Sequence, residues 1–375
     1  MKDFLSQRIH RIDTSEIRKA FDLAVKIKNP VNLSIGQPDF PVPEAVKESF
    51  MAAVKDNKNA YTQTQGILPL REGISEYLSK SEILVSPNHI LISTGVASIL
   101  FLLFETLFNE GDEIILIDPY FLVYESLAQK YKLKVFYLSE NFSEADVKNL
   151  LHKEKLEKLK AIIFATPSNP TGKILTRNQL QLLSTIAEKK DALLISDEIY
   201  EAFDYDHQFI HTASVLPERT LTLGGFSKSH AMTGWRVGYI CAPARLSKII
   251  EKMATLQQYS IVCAPQPAQW AAVTALKTPI TKELEMMKQR RELVKQLLGK
   301  NIQYSDGDGA FYFFLKTPID GQTFTEAAAE RALLVVPGHI FSNNRNYIRI
   351  SYAQKEEVLK LGIDIIQSLY EKFNV

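Results

Sequence analysis

The fold of this chain is decided by residues 221–240, which read LTLGGFSKSHAMTGWRVGYI. An apolar run ends in small residues and a Ser227-Lys228 pair, and a glycine–arginine turn at Arg236 precedes the next apolar run. Two other Ser–Lys pairs, at 79–80 and 247–248, neither follow such a run nor precede such a turn, so we interpret them as solvated helix residues. Lys228 is therefore the candidate reactive amine, placed just after a buried strand.

Short apolar runs like this one recur along the chain, and they are continuous rather than alternating. Continuous runs rich in β-branched residues are typical of strands covered on both faces. Amphipathic stretches, clearest at 143–159 and 177–189, lie between several of them. This alternation predicts an α/β fold with a mostly parallel seven-stranded sheet. The runs are 90–92, 114–117, 135–138, 161–164, 193–195, 221–223 and 237–240.

The pattern changes after about residue 275. A charged helix is predicted at Thr281–Leu298, then a hairpin-like patch around 309–314, a helix at Thr325–Leu333, a strand at Tyr347–Ser351 and a final helix. The segment before about Phe40 is predicted to be helical and to pack with these elements. We therefore expect a large domain over residues 40–275 and a smaller α+β domain formed by residues 1–39 and 276–375.

Composition excludes several classes of function. The 375 residues carry a net charge of +1, which gives no electrostatic attraction for nucleic acid or an anionic membrane. The two cysteines, Cys241 and Cys263, are too few for a disulfide framework and lack metal-type spacing. The charged N-terminus has no apolar signal region, and the apolar stretch 99–108 is too short to span a bilayer. We expect a cytoplasmic protein.

Polar and aromatic residues follow the predicted strands, where ligands bind in open parallel sheets. Each fragment alone has a plain alternative as a connecting turn, core packing or a strand-end cap. Together they supply a phosphate-binding turn, an aromatic plate, an amide, a carboxylate, a phenol, a lysine and an arginine, which is the set that a pyridoxal ring requires. They are the turn at 93–98, the aromatic cluster at 118–124, Asn169, Asp197, Tyr200, Lys228 and Arg236.

The order and spacing of these pieces resemble the class I aminotransferases of the fold-type I family that depends on pyridoxal 5′-phosphate (PLP), especially the aspartate and aromatic aminotransferase subgroup. The resemblance covers nearly the whole chain. It runs from NLSIGQPDF at 32–40, through Tyr61 and Gly66, to YIRISYA at 347–353. Residues 227–238 carry its most specific part.

The resemblance implies a role for each residue around the ring. Lys228 is expected to carry PLP as a Schiff base and then to act as general base and acid, which needs a lowered pKa. Asp197 is expected to pair with the pyridinium nitrogen. Asn169 and Tyr200 are expected to hydrogen-bond the phenolic oxygen, and Phe121 to stack on the ring, where other members often have tryptophan or tyrosine.

Further roles concern the phosphate and the substrate. The resemblance assigns the phosphate cup to three residues with largely backbone contacts and to two side chains: Gly95, Val96, Ala97, Ser227 and Arg236. Arg349 is expected to bind the substrate α-carboxylate as a fork, together with Asn169 and the backbone of Gly36. Tyr61 matches a tyrosine that reaches the phosphate from the neighbouring subunit, which implies a homodimer with shared active sites.

The implied reaction is ping-pong transamination by an aldimine/ketimine mechanism, from an L-amino acid to a 2-oxo acid, with 2-oxoglutarate as the usual acceptor. Gln37 stands where many members carry Glu, and no second basic residue is evident for a side-chain carboxylate, which weakens an aspartate-specific reading. The alternative is another reaction on the same fold: a C–S lyase, a cyclising synthase or a PLP-dependent oxidase. Dependence on an oxo-acid acceptor distinguishes a transaminase from these.

Three other motifs point to different chemistry and are set aside. Gly172-Lys173 lacks the first glycine and the final Ser or Thr of a nucleotide-binding loop. His207 and His211 have metal-like spacing but no matching third ligand, so we interpret them as surface histidines. The DGDG segment at 306–309 lacks the rest of a calcium loop and is interpreted as a turn. We expect no metal.

Overall fold

The computed structural model describes residues 4–12, 29–305 and 307–373. Its strands are β1 Val31–Asn32, β2 Ile90–Ser93, β3 Glu113–Asp118, β4 Lys134–Ser139, β5 Leu159–Ala165, β6 Leu193–Asp197, β7 Thr220–Gly225, β8 Gly238–Cys241, β9 Tyr304–Ser305, β10 Tyr312–Lys316, β11 Leu333–Leu334, β12 Val336–Pro337 and β13 Tyr347–Ser351. The α-helices of the described residues are α1 Glu44–Lys55, α2 Leu68–Ser79, α3 Val96–Leu107, α4 Leu122–Lys130, α5 Glu144–Lys153, α6 Arg177–Lys190, α7 Ser247–Gln258, α8 Gln266–Ala275, α9 Thr281–Leu298, α10 Gly321–Glu330 and α11 Glu356–Phe373.

The central sheet has seven strands in the order β2-β8-β7-β6-β5-β3-β4, so the predicted α/β fold is confirmed. All neighbouring strands are parallel except at β8, which runs antiparallel to both β7 and β2. The connection from β7 to β8 contains only a short 3-10 turn at Thr233–Trp235. A parallel neighbour needs a long crossover, so this short connection requires the antiparallel orientation.

Helices cover both faces of this sheet, which explains the continuous apolar runs. One face packs against α3, α4 and α7, and the other against α2, α6 and α8. Capping boxes at Ser143 and Thr176 start α5 and α6. The helix predicted over 143–159 is too long, because α5 ends at Lys153 and Leu159 already begins β5.

The C-terminal elements form a second layer around a four-stranded sheet of order β12-β13-β10-β9. Helices α9, α10 and α11 share one apolar core with its strands. The predicted bounds of α9 and β13 are confirmed, whereas α10 begins at Gly321 rather than Thr325 because the Asp320 side chain caps it by accepting from the N–H groups of Gln322 and Thr323.

The N-terminal segment joins this second layer through β1, which pairs in parallel with β11. Residues 13–28, on which most of the predicted N-terminal helix falls, lie outside the described residues. In the described part that prediction is wrong, since residues 9–11 form a single 3-10 turn and residues 31–32 a strand. The domain boundaries near 40 and 275 stay a prediction. Among the described residues no helix combines the length and hydropathy needed to cross a membrane.

Candidate active site

A cavity of about 290 Å³ opens beyond the carboxyl ends of β5, β6 and β7, against the second layer. Its lining comes from distant parts of the chain: Gly36, Val96, Ala97, Phe121, Tyr124, Ala165, Asn169, Asp197, Ile199, Tyr200, Ser227, Lys228, Thr233, Arg236, Tyr312 and Arg349. Of the residues predicted from sequence, only Gly95 and Tyr61 are not among them. Gly95 lies directly behind Arg236, whereas the Tyr61 side chain is 83% exposed.

Lys228 follows β7 and extends its amine into the cavity. Its Nζ donates a hydrogen bond to the backbone oxygen of Gly36 at 2.6 Å. Burial and the nearby guanidinium groups of Arg349 and Arg236 lower the pKa of Lys228 to about 8, although Asp197 acts in the opposite direction. The amine therefore loses its proton at a lower pH than an ordinary lysine does, which favours action as a nucleophile or a base.

Asp197 is the last residue of β6 and is nearly inaccessible to solvent. One carboxylate oxygen accepts from the Tyr124 hydroxyl at 2.8 Å and the other from the N–H of Ile199 at 3.2 Å. Burial raises the pKa of Asp197 to about 6, because two neutral donors compensate only part of the lost hydration. A cation in the cavity would restore the ionised form, and a protonated ring nitrogen is such a cation.

The start of α3 lines the cavity beside Arg236. Gly95 directly precedes the helix and has a φ of 87°. Because Val96 and Ala97 are the first residues of the helix, their N–H groups have no carbonyl within the helix to bond. Arg236 lies over this turn and donates to the backbone oxygens of Thr233 and Thr94, each at 2.9 Å. These backbone bonds fix the guanidinium beside a helix N-terminus, which is the arrangement that binds phosphate.

A second arginine of the cavity, Arg349 in β13, is 1% exposed. Its Nη1 donates to Asn169 Oδ1 at 2.9 Å and its Nη2 to the backbone oxygen of Ser34 at 2.6 Å, while Nε has no partner. Among the described residues no carboxylate contacts this buried guanidinium. Its positive charge therefore has no anionic partner in the protein. Because Arg349 occupies Asn169 Oδ1, the amide nitrogen of Asn169 stays free to donate.

Two aromatic side chains that the sequence interpretation left without a role line the cavity. Tyr124, one helical turn after Phe121, bonds Asp197. Tyr312 in β10 forms a hydrogen bond of 2.7 Å between its hydroxyl and that of Tyr200. Phe121 meets Tyr124 edge-on, with ring centroids 5.6 Å apart, and its side chain borders the cavity.

The interpretation of His207 and His211 as surface histidines is correct for His207 and wrong for His211. His211 Nδ1 lies 2.7 Å from a carboxylate oxygen of Glu198, and its Nε2 lies 3.6 Å from Glu201. These three side chains bring potential ligand atoms within 4.8 Å of one another. Each nevertheless has a protein partner here, since Glu198 also accepts from Ser196 and Glu201 from Tyr77.

The described part of the segment at 306–309 makes backbone contacts with the loop that carries Asn169. The N–H of Gly309 donates to the backbone oxygen of Gly172 at 2.8 Å. A Cβ on Gly307 would overlap the backbone of Thr171 and Gly172. These glycines therefore allow two backbone segments to approach closely, and Gly309 also forms an antiparallel bridge with Asp204.

The cavity thus brings together the lysine amine, a buried carboxylate, two guanidinium groups and the start of a helix. Residues 28–366 match the family Aminotransferase class I and II, and the chain belongs to this family. It is an aminotransferase, and the family depends on PLP.

Similar proteins match the chain over nearly its full length. A probable aspartate aminotransferase of Methanocaldococcus jannaschii is 36% identical over 98% of this chain and 100% of its own. Aromatic-amino-acid aminotransferase 2 of Thermococcus litoralis is 34% identical over 98% of both chains. The structure of aspartate aminotransferase from Thermus thermophilus with maleate superposes with a TM-score of 0.91 at 29% identity, covering 98% of this chain and 100% of that one.

Proposed function

We propose that this aminotransferase binds PLP in the cavity and moves an amino group from an L-amino acid to a 2-oxo acid, with 2-oxoglutarate as the acceptor. The observation that carries the proposal is the amine of Lys228, whose pKa is lowered to about 8, set among Asp197, Arg236 and Arg349. A lysine with this pKa among one carboxylate and two arginines matches the reacting centre that the family's cofactor needs.

The lining residues fit PLP by their donor chemistry. The phosphate would be held by the N–H groups at Val96 and Ala97 beside Gly95, by the Ser227 hydroxyl and by Arg236. When bound, PLP supplies an aldehyde that condenses with amines and a pyridinium ring that withdraws electrons from the substrate Cα.

Around the ring, the residues divide the remaining contacts. Asp197 would pair with the ring nitrogen, and this ion pair would return its pKa toward the ordinary range of a carboxyl. The free amide nitrogen of Asn169 and the hydroxyl of Tyr200 would donate to the phenolic oxygen. Phe121 would lie against the ring face.

Lys228 and Arg349 would handle the substrate. Arg349 has unused N–H donors, and a carboxylate placed there would supply the anion that the buried guanidinium lacks. Such binding would hold the amino acid in the cavity that Lys228 also lines. The neutral amine then removes the Cα proton, and its protonated form returns a proton, which is general base and acid catalysis by one group.

The cavity favours donors with neutral side chains. Among the described residues its lining contains three cations, Lys228, Arg236 and Arg349, and each has a role already. A side-chain carboxylate would need a further cation, as would the distal carboxylate of 2-oxoglutarate, and a partner protomer could supply it. Relatives named for aspartate and for aromatic amino acids both exist, so the donor class is decided by assay.

We also propose a homodimer with shared sites. The exposed ring of Tyr61 would then reach the phosphate of the neighbouring protomer. Mixing inactive Tyr61→Ala and Lys228→Ala proteins tests this, because one site of each mixed dimer has an intact Tyr61 and an intact Lys228. Recovery of activity on mixing supports shared sites, and no recovery when subunit exchange is shown by mass spectrometry contradicts them.

The decisive experiment follows the absorbance of the protein with PLP while amino acids are added singly without an acceptor. Conversion of the Lys228-linked cofactor band to the pyridoxamine form, reversed by 2-oxoglutarate, is expected. Reversal by pyruvate but not 2-oxoglutarate would overturn the acceptor. A band that forms but never converts would favour a C–S lyase, a cyclising synthase or an oxidase. Lys228→Ala should bind PLP without this band and lose turnover.

A further inference from the structure

Tyr312 contacts both halves of the cavity, although no role has been assigned to it. Its hydroxyl bonds Tyr200, and its ring lies 4.5 Å from the guanidinium carbon of Arg349. We propose that Tyr312 is a positioning residue that acts through two separate groups: its hydroxyl orients Tyr200, and its ring holds Arg349. This inference rests on the proposed function, because it concerns the groups that meet the cofactor and the substrate carboxylate.

The sheet register places the Tyr312 ring against the guanidinium. Tyr312 pairs with Ser351 across the antiparallel strands β10 and β13, and Arg349 is two residues along the same strand from Ser351. Residues at such diagonal positions share one face of the sheet and lie within reach of long side chains. The pleat therefore presents the ring and the guanidinium to each other without any loop in between.

The ring compensates the guanidinium for lost hydration. Arg349 uses Nη1 and Nη2 in hydrogen bonds, its Nε has none, and no carboxylate balances its charge among the described residues. The Phe341 ring also approaches it, at 5.0 Å. Aromatic faces attract a desolvated cation more strongly than an exposed one. Removing the Tyr312 ring should therefore let Arg349 move, and the fork for a carboxylate would lose its geometry.

The hydroxyl of Tyr312 has a different role, which follows from the number of protons that the two phenols can donate. Each phenol carries one proton, and among the described residues neither hydroxyl has a second hydrogen-bond partner. If Tyr200 donates its proton to an oxygen in the cavity, it must accept from Tyr312. A chain from Tyr312 to Tyr200 to the cavity oxygen results, and each bond in such a chain polarises the next.

Gly36 fixes the other side of the Tyr312 hydroxyl. A Cβ at Gly36 would overlap the Tyr312 oxygen, so only glycine lets the main chain pass there. The same Gly36 accepts the hydrogen bond from Lys228 Nζ through its backbone oxygen. The hydroxyl is thus held between this main chain and Tyr200, which leaves it little freedom to turn toward another partner.

Two substitutions separate the two tasks. Tyr312→Phe keeps the ring and removes only the hydroxyl, whereas Tyr312→Leu removes both. Tyr352→Phe is the matched control, because Tyr352 is a buried tyrosine of the same core whose hydroxyl donates to the backbone oxygen of Ala310 and does not line the cavity. Far-ultraviolet circular dichroism and retention of PLP establish that each variant is folded.

The first readout is a pH titration of the absorbance of Lys228-linked PLP without substrate. A weaker Tyr200 donor stabilises the anionic phenolic oxygen less, so the midpoint should rise by about half to one pH unit in Tyr312→Phe. Tyr352→Phe should titrate like the wild type. A Tyr312→Phe midpoint equal to that of the wild type would overturn the role of the hydroxyl.

The second readout is the dissociation constant of 3-phenylpropionate, a carboxylate that cannot react, measured by calorimetry. Tyr312→Phe should bind within about twofold of the wild type, and Tyr312→Leu about tenfold more weakly, as the loss of a desolvated cation–π contact requires. Equal binding by Tyr312→Leu would overturn the role of the ring. If the wild-type protein forms no Lys228-linked band with PLP, the proposed function itself is wrong. Failure of the proposed function is therefore distinguished from failure of the role of Tyr312, which is tested only in protein that forms this band.

Discussion

Replacing Arg349 by lysine tests how the cavity holds its substrate. The substitution keeps a positive charge but removes the planar fork that can bind both oxygens of a carboxylate. It also removes the bonds to Asn169 Oδ1 and to the backbone oxygen of Ser34, which orient the guanidinium in the wild-type protein. A lysine ammonium in this buried position can direct at most one strong hydrogen bond to the carboxylate.

The size of the effect follows from the bonds lost. A hydrogen bond between charged groups contributes about 1.5 to 3 kcal/mol, so losing one such bond and the orientation of the other should cost roughly 3 kcal/mol. Since every 1.4 kcal/mol is tenfold, kcat/KM for an amino acid should fall roughly 100-fold. The loss should fall on amino acids alone, because a substrate without the carboxylate has nothing to lose at Arg349.

Single-turnover rates of tyrosine and of tyramine, which lacks the carboxylate, measure this difference. Arg349→Lys should greatly reduce the preference for tyrosine over tyramine. Arg345→Lys is the control: Arg345 lies just before β13, is exposed and pairs with Asp320, so both rates should stay within about twofold. An equal loss for both substrates in Arg349→Lys would show that Arg349 does not bind the carboxylate, and the assignment would be wrong.

Three further outcomes are expected. His211→Ala should lower the free energy of unfolding, measured by urea denaturation, by about 3 kcal/mol, because the buried Glu198 carboxylate loses a hydrogen-bond partner, whereas His207→Asn should change it by less than about 0.5 kcal/mol. Burial raises the pKa of Glu201 to about 7 in the folded protein. The stability that comes from its bound proton is therefore present at low pH and is lost as the pH rises through 7. Glu201→Gln should accordingly gain stability relative to the wild type between pH 5 and pH 8. Gly95→Ala should weaken PLP binding, followed by absorbance titration, about tenfold, since its φ is 87° and its Cβ would meet Arg236.

The large sheet was predictable because its signal is local. Each strand is a continuous apolar run, and Asp197 and Lys228 come at or just after strand ends, where parallel topology gathers ligand-binding groups. The antiparallel orientation of β8 could also be predicted, because the connection from β7 is too short for the crossover that a parallel neighbour needs. The apolar runs alone do not give this orientation, since the composition of a buried strand is the same whether it runs parallel or antiparallel to its neighbour.

The missed residues depend on contacts between distant segments. Tyr312 lies in an apolar stretch, FYFFL at 311–315, whose alternation is hidden because both faces are buried. Its partner Tyr200 is 112 residues away, and no spacing rule connects them. Tyr124 offered a usable signal, since it follows Phe121 by three residues and so shares its helix face. His211 gave none, because its partner Glu198 lies across an irregular loop.

The bonds of Arg349 have a consequence for how the protein matures. Its two hydrogen-bond acceptors lie 180 and 315 residues earlier in the chain. During synthesis, the segments that contain Gly95 and Lys228 emerge long before β13 does. A chain that ends before β13 lacks the guanidinium expected to hold the substrate carboxylate, and it also lacks one of the charges that lower the pKa of Lys228. Synthesis of this late strand is therefore needed both for the proposed choice of substrate and for the full reactivity of the amine.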